Sequence, residues 1–190
     1  MISGEGMKRR RQWFPSILFV LFVLFSLWVA LQFLAPLMLP TGSVPDLSGV
    51  VGVPDNNDVI GNMSFPWNVM YSSGDRLCHQ QASRSLFFNG NQMPFCTRCT
   101  AIWLGIAVGL GFIMLYTFEL TGVFLAVLLA SLLPLGVDGV GQLVGFWEST
   151  NVIRFLTGLP AGIICGVAIG IIIDETKGLL NDMKRKKKMT

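Results

Sequence analysis

Charge is what this sequence has least of. Only 13% of its 190 residues are Asp, Glu, Lys or Arg, against 52% hydrophobic ones, so membrane spans are sought before a soluble core. A net charge of +3 is too small to point to nucleic acid as a partner. Histidine occurs once and cysteine four times, so residues able to hold a transition metal are scarce. No A-x-A cleavage site follows the first apolar run, which outlasts the core of about 7–15 residues typical of a signal peptide. That run therefore reads as a retained anchor.

The location of the charge says more than its sum. Lys8, Arg9, Arg10 and Arg11 precede the first apolar run, and Lys184, Arg185, Lys186, Lys187 and Lys188 follow the last. By the positive-inside rule both ends are expected in the cytoplasm of a cell-membrane protein. Trp13–Leu39 is the first run, with a helix expected from about Ser16 to Met38. Ala101–Phe118 is the second, Val123–Val137 the third with an extension to Val144, and Val152–Ile173 the fourth. The expected fold is all-α, with four transmembrane helices and a long extracytoplasmic loop between the first two. Residues 1–12 form a basic N-terminus, 13–40 the first span, 41–100 the loop, 101–173 a three-helix membrane core and 174–190 a basic cytoplasmic tail.

Thr41–Leu77 is rich in Pro, Gly, Asn and Asp without a sustained period, and is expected to be irregular. Phe65, Pro66, Trp67, Val69, Met70 and Tyr71 are candidates for the membrane interface. Gly158, Gly162, Gly166 and Gly170 repeat every four residues, as do Gly105 and Gly109, which predicts span two packed on span four. Such packing would bring Cys96 and Cys99 near Arg154.

The chemistry gathers between Cys78 and Cys99. This stretch holds three of the four cysteines, the only histidine, and Arg84 and Arg98. Cys96-Thr97-Arg98-Cys99 is a C-x-x-C at the start of an apolar helix, where the dipole and Arg98 favour a thiolate at Cys96. Asn89-Gly90 marks a turn that would fold Cys78-His79 back towards it. Cys78, His79, Cys96 and Cys99 match a tetrahedral zinc set in number, although adjacent residues such as Cys78 and His79 tend to point apart. A structural disulfide and a redox pair formed by Cys96 and Cys99 are the competing readings. Cys165, mid-span, reads as a small packing residue.

A second group is polar and on the same predicted face. Arg84, Arg98, Asp138, Gln142, Glu148, Asn151 and Arg154 form a cluster suited to an anionic cofactor, lipid headgroup or substrate. Internal partners, Asp138, Glu148 and the Asn151 side chain, are the simpler expectation, with buried ion pairing the expected state of Arg154. Asp138 with Gln142, and Asn151 with Arg154, suggest a hydrogen-bonded seam between spans three and four.

Cys78-His79-Gln80, Ser83-Arg84-Ser85, Asn89-Gly90-Asn91-Gln92-Met93-Pro94 and Cys96-Thr97-Arg98-Cys99-Thr100 make the first half of a longer pattern. Asp138-Gly139-Val140-Gly141-Gln142 and Glu148-Ser149-Thr150-Asn151-Val152-Ile153-Arg154 through Thr157-Gly158 make the second. Over roughly residues 75–170 this resembles an uncharacterised family of prokaryotic, often archaeal, integral membrane proteins, domain of unknown function 2085. The resemblance implies a membrane location and carries no activity. Ala101 stands where relatives are expected to have glycine.

The leading expectation is an outer-face metal centre, with zinc the default ion and copper or iron open, in a subunit of a larger membrane complex. One alternative is a thiol-disulfide oxidoreductase coupled to a membrane quinone. Another is a non-catalytic, disulfide-stapled accessory subunit. The lipid bilayer and other membrane proteins are the expected partners.

Overall fold

The computed structural model describes residues 7–9, 16–118 and 120–187. Arg10, Arg11 and Lys188 of the two basic clusters lie outside the described residues. The chain runs through β1 (Met7–Arg9), α1 (Ser16–Met38), α2 (Asn57–Ile60) and α3 (Trp67–Leu77). It continues through β2 (Phe87–Phe88), β3 (Asn91–Gln92), α4 (Thr97–Leu115), β4 (Tyr116–Phe118), α5 (Gly122–Leu143) and α6 (Asn151–Lys187).

Four of these helices, α1, α4, α5 and α6, are long and apolar enough to cross a membrane. At about 1.5 Å per residue, α1 is roughly 34 Å long and α4 roughly 28 Å, close to the hydrocarbon thickness. Helix α6 has 37 residues and continues unbroken past Ile173, so its basic last turn is an extension of the span and not a separate tail. Helix α4 begins four residues earlier than its apolar run suggests, because Cys96 in an extended conformation caps it and the C-x-x-C forms its first turn.

Small residues set the packing. A Cβ on Gly105 would lie 2.8 Å from the Gly162 Cα, and one on Gly109 would lie 3.0 Å from the Gly166 Cα. Gly158 faces Ala101, and Gly170 faces Ile113. The expected pairing of spans two and four is thus what the fold adopts, with the two backbones in direct contact. Leu18 of α1 joins Leu110, Ile113, Met114, Val167 and Ile171 in the membrane core. At one end, β1 pairs antiparallel with β4, placing Met7 opposite Phe118 and Arg9 opposite Tyr116.

At the other end the segment from Leu39 to Cys96 folds into a cap with its own core. Ala35, Leu39, Val44, Leu47, Ile60, Met70, Tyr71 and Phe95 are buried there together with Cys78 and Cys96. This corrects the expectation of an irregular Thr41–Leu77. Met70, Tyr71 and Gly74 fall at helical spacing, and α3 buries them although its Ser, Gly and Asp content masks the period. The aromatic cluster proposed for the interface divides accordingly. Tyr71 is in the core and donates to the Gln92 carbonyl at 2.6 Å, whereas Phe65 is exposed.

Side-chain amides fasten the cap to α1. Helix C-termini leave unpaired carbonyls, and here Asn91 Nδ2 donates to the carbonyls of Pro36 at 2.9 Å and Pro40 at 3.0 Å. Asn89 Nδ2 reaches the Leu39 carbonyl at 3.1 Å. Asn89 and Gly90 have φ of 53° and 71°, the two positive values that a tight two-residue hairpin turn requires between β2 and β3.

Because the α4–α6 contact tolerates no added atom, Gly109→Ala is expected to destabilise the protein by about 1–3 kcal/mol. Gly136→Ala, with open space around it, should be neutral or slightly stabilising. Thermal unfolding in mild detergent compares the two, and equal midpoints would contradict the packing described.

Candidate functional site

Helix α4 brings its first turn to the cap, and three thiols meet there. Cys78 ends α3, Cys96 caps α4 and Cys99 lies one turn in. Their sulfur atoms all lie within 4.8 Å of one another. Tetrahedral coordination with metal–sulfur bonds of about 2.3 Å would place sulfurs about 3.8 Å apart, so modest contraction completes a three-sulfur site. Cys78 and Cys96 are buried and Cys99 is half-buried, and all three are free thiols. Cys165, also free, sits far along α6.

The backbone is arranged towards these sulfurs. The Cys96 N–H donates to Cys78 Sγ at 3.3 Å, and the N-terminus of α4 adds its positive end at Cys96. The Cys96 thiol is held well below the usual thiol range by hydrogen bonding from Cys78, then Cys99 and His79, against the opposing effect of burial. Cys78 is pushed up to about 11, first by its hydrogen bond to Cys96 and also by burial.

His79 is beside this trio and outside it. Its Nδ1 accepts the Gln81 backbone N–H at 3.0 Å. With Nδ1 engaged in this way, Nε2 is the ring nitrogen left for another partner, and His79 is not among the three residues whose ligand atoms converge. The residue after it, Gln80, is in the left-handed region at φ 44°, a rare conformation for glutamine. That turn is fixed by the Gln80 amide donating to the Pro94 carbonyl at 2.7 Å, and by Gln92 Nε2 donating to the Gln80 carbonyl. Gln92 also accepts the Leu47 N–H at 3.0 Å. A buried lattice of Gln80, Asn91 and Gln92 therefore positions Cys78 against the C-x-x-C. These residues belong to the quoted motifs, yet their supporting role was not read from the sequence. The only signal was that so many amides cluster between apolar stretches.

The second predicted cluster is partly assembled. Arg98 pairs with Asp138, whose other oxygen accepts from Trp147 Nε1 at 3.4 Å. The carboxylate therefore joins α5 to α4; of the internal partners expected for Arg154, Asp138 is taken by Arg98 and Asn151 is the one it bonds. Arg154 is 4% exposed, and its Nη1 donates to Asn151 Oδ1 at 3.1 Å. Asn151 in turn donates to the Ser85 carbonyl at 3.2 Å. The polar seam expected between spans three and four is instead a set of links from α4 to α5 and from α6 to the cap. Arg84 lies close enough for its charge to act on Arg154, as do Arg98, Asp138 and Cys96. Gln142 keeps a buried amide nitrogen without a partner among the described residues, and Glu148 is exposed. Trp147 was missed by sequence reasoning because nothing in its local pattern shows that it folds back over Gly141 onto Asp138.

The segment that carries this geometry is also the segment shared with other proteins. Residues 78–169 match the family described as predicted membrane protein (DUF2085). An uncharacterised protein of Methanothermobacter thermautotrophicus is 40% identical over 93 residues, covering 49% of this chain and 82% of the relative. An uncharacterised protein of Methanocaldococcus jannaschii is 39% identical over 97 residues, covering 49% of this chain and 61% of that relative. No solved structure matches the chain. The shared segment starts at Cys78 and takes in the C-x-x-C, Asp138 and Arg154, and this chain belongs to the predicted membrane protein family DUF2085.

Proposed function

We propose that this multi-pass membrane protein holds a transition-metal ion, zinc by default, on the thiolates of Cys78, Cys96 and Cys99. The observation that carries this reading is the convergence of three sulfurs within 4.8 Å, with a backbone N–H already aimed at one of them. Soft thiolate ligands select zinc, copper(I) or iron–sulfur chemistry over hard cations. His79 supports the site from behind, as hydrogen-bond donors to ligands commonly do. Three protein ligands leave the fourth tetrahedral position for an exogenous group, the pattern of reactive metal sites and not of closed structural ones. By the charge of its ends, the site faces the extracytoplasmic side of the cell membrane.

The same three sulfurs also support thiol-disulfide exchange, because the trio contains a low-lying thiol at Cys96 and two neighbours able to resolve it. Membership of a larger membrane assembly is the finer part of the proposal. It is supported by a groove of about 740 Å³ along α5, lined by Leu129, Leu133, Val137 and Val140 and closed by Phe146 and Trp147.

Elemental mass spectrometry on the purified protein is expected to find about one zinc per chain, falling about tenfold or more in C78S, C96S or C99S. H79A should retain the metal with affinity about 10–100-fold weaker. Equal metal loss in H79A would make His79 a ligand, and a metal-free protein with Cys96 and Cys99 oxidised would overturn the centre in favour of redox chemistry.

Metal affinity should also fall with pH. Cys78, pushed up to about 11, is protonated at neutral pH and must lose that proton to ligate. Each unit of acidification is therefore expected to weaken binding about tenfold per proton displaced, read from competition with a chelator between pH 8 and 6. A pH-independent affinity would contradict thiol ligation.

A further inference from the structure

Of Arg84, Arg98 and Arg154, one has a carboxylate partner among the described residues. Arg98 is matched by Asp138. Neither Arg84 nor Arg154 has a carboxylate partner among the described residues. Burying a guanidinium in such a state is costly, and Arg154 is buried. Among the described residues its Nε has no partner, and its one bonded group, the Asn151 amide oxygen, is neutral.

The local geometry is that of an anion site. Arg154 sits in the first turn of α6, where the helix dipole favours negative charge, although Thr150 already accepts the N–H groups of Ile153 and Arg154. The bond from Asn151 to the Ser85 carbonyl draws the turn at Ala82–Arg84 onto this helix start. Among the described residues Arg84 makes no side-chain hydrogen bond or ion pair, and its charge acts on Arg154. Beside the same helix start, Leu86, Val152, Phe155 and Leu156 line an apolar crevice of about 260 Å³.

We infer that Arg84 and Arg154, at the N-terminus of α6, bind a phosphate group next to the thiol trio. Two arginine forks and a helix start suit a phosphate, whose oxygens accept paired N–H donors. The phosphate comes either from a phospholipid headgroup, whose acyl chain the crevice would take, or from a soluble phosphorylated ligand. The inference does not depend on the metal, since the unpartnered guanidinium, the helix start and the crevice are defined without reference to the thiols.

The test uses the full chain purified in mild detergent, with inorganic phosphate as one probe and nanodiscs of phosphatidylglycerol and phosphatidylcholine as the other. Calorimetry reads phosphate binding, and native mass spectrometry reads retained phosphatidylglycerol. At least one probe is expected to bind, with affinity about tenfold or more weaker in R84Q and in R154Q, and R154K intermediate because lysine lacks the fork. Phosphatidylglycerol retained without phosphate binding identifies the lipid source, and the converse a soluble one. Arg84 makes no bond whose loss would unfold the chain, so R84Q keeps the test decisive if R154Q does not fold. Binding of neither probe, or binding unchanged in R84Q, overturns the site. Zinc content measured on the same R84Q sample should equal wild type, which separates failure here from failure of the metal centre.

Discussion

The backbone contact between α4 and α6 is the constraint on which the rest depends. Glycine at 105, 109, 162 and 166 removes the side chains that would hold two membrane helices apart. In lipid, where apolar side chains gain little from leaving one environment for another like it, such close packing is a main source of helix association. The contact fixes the two helix starts at the same end of the bundle. Since α4 starts at Cys96 and α6 starts three residues before Arg154, the packing places thiols and guanidinium side by side.

The cap then does for Cys78 what the helices do for Cys96 and Cys99. A segment outside the membrane cannot rely on span packing, and this one is organised by buried amides. Gln80, Asn91 and Gln92 satisfy backbone groups that would otherwise be stranded between α1, α3 and the hairpin. The lattice therefore holds one geometry, and the sulfur positions inherit its precision.

Electrostatics tie the two halves of the motif together. Arg98 lies between the two ligand-type cysteines of α4 and is held by Asp138 from α5, so the third span is joined to the site by charge. Trp147 closes over that pair and shields it from the surroundings. A half-buried ion pair of this kind is more important for orientation than for stability, because desolvation offsets much of the attraction. Arg154, at the start of α6, is left with a neutral amide as its bonded partner among the described residues.

Much of this was legible in the chain. Hydropathy marked four spans, because lipid demands about twenty apolar residues wherever a helix crosses. Glycine spacing identified α4 against α6, since only a face of small residues admits a neighbouring backbone. Asn89-Gly90 announced the hairpin, because few residues accept two successive positive φ values. Tertiary structure alone decided the rest. Helix α3 was hidden by its polar composition and exists because Met70 and Tyr71 have a core to enter. Whether Cys78 or His79 faces the C-x-x-C depends on a left-handed turn at Gln80, which is set by partners 12 and 14 residues away. The choice of Arg98 over Arg154 for Asp138 likewise depends on which guanidinium the packed helices bring within reach, a distance that sequence spacing does not contain.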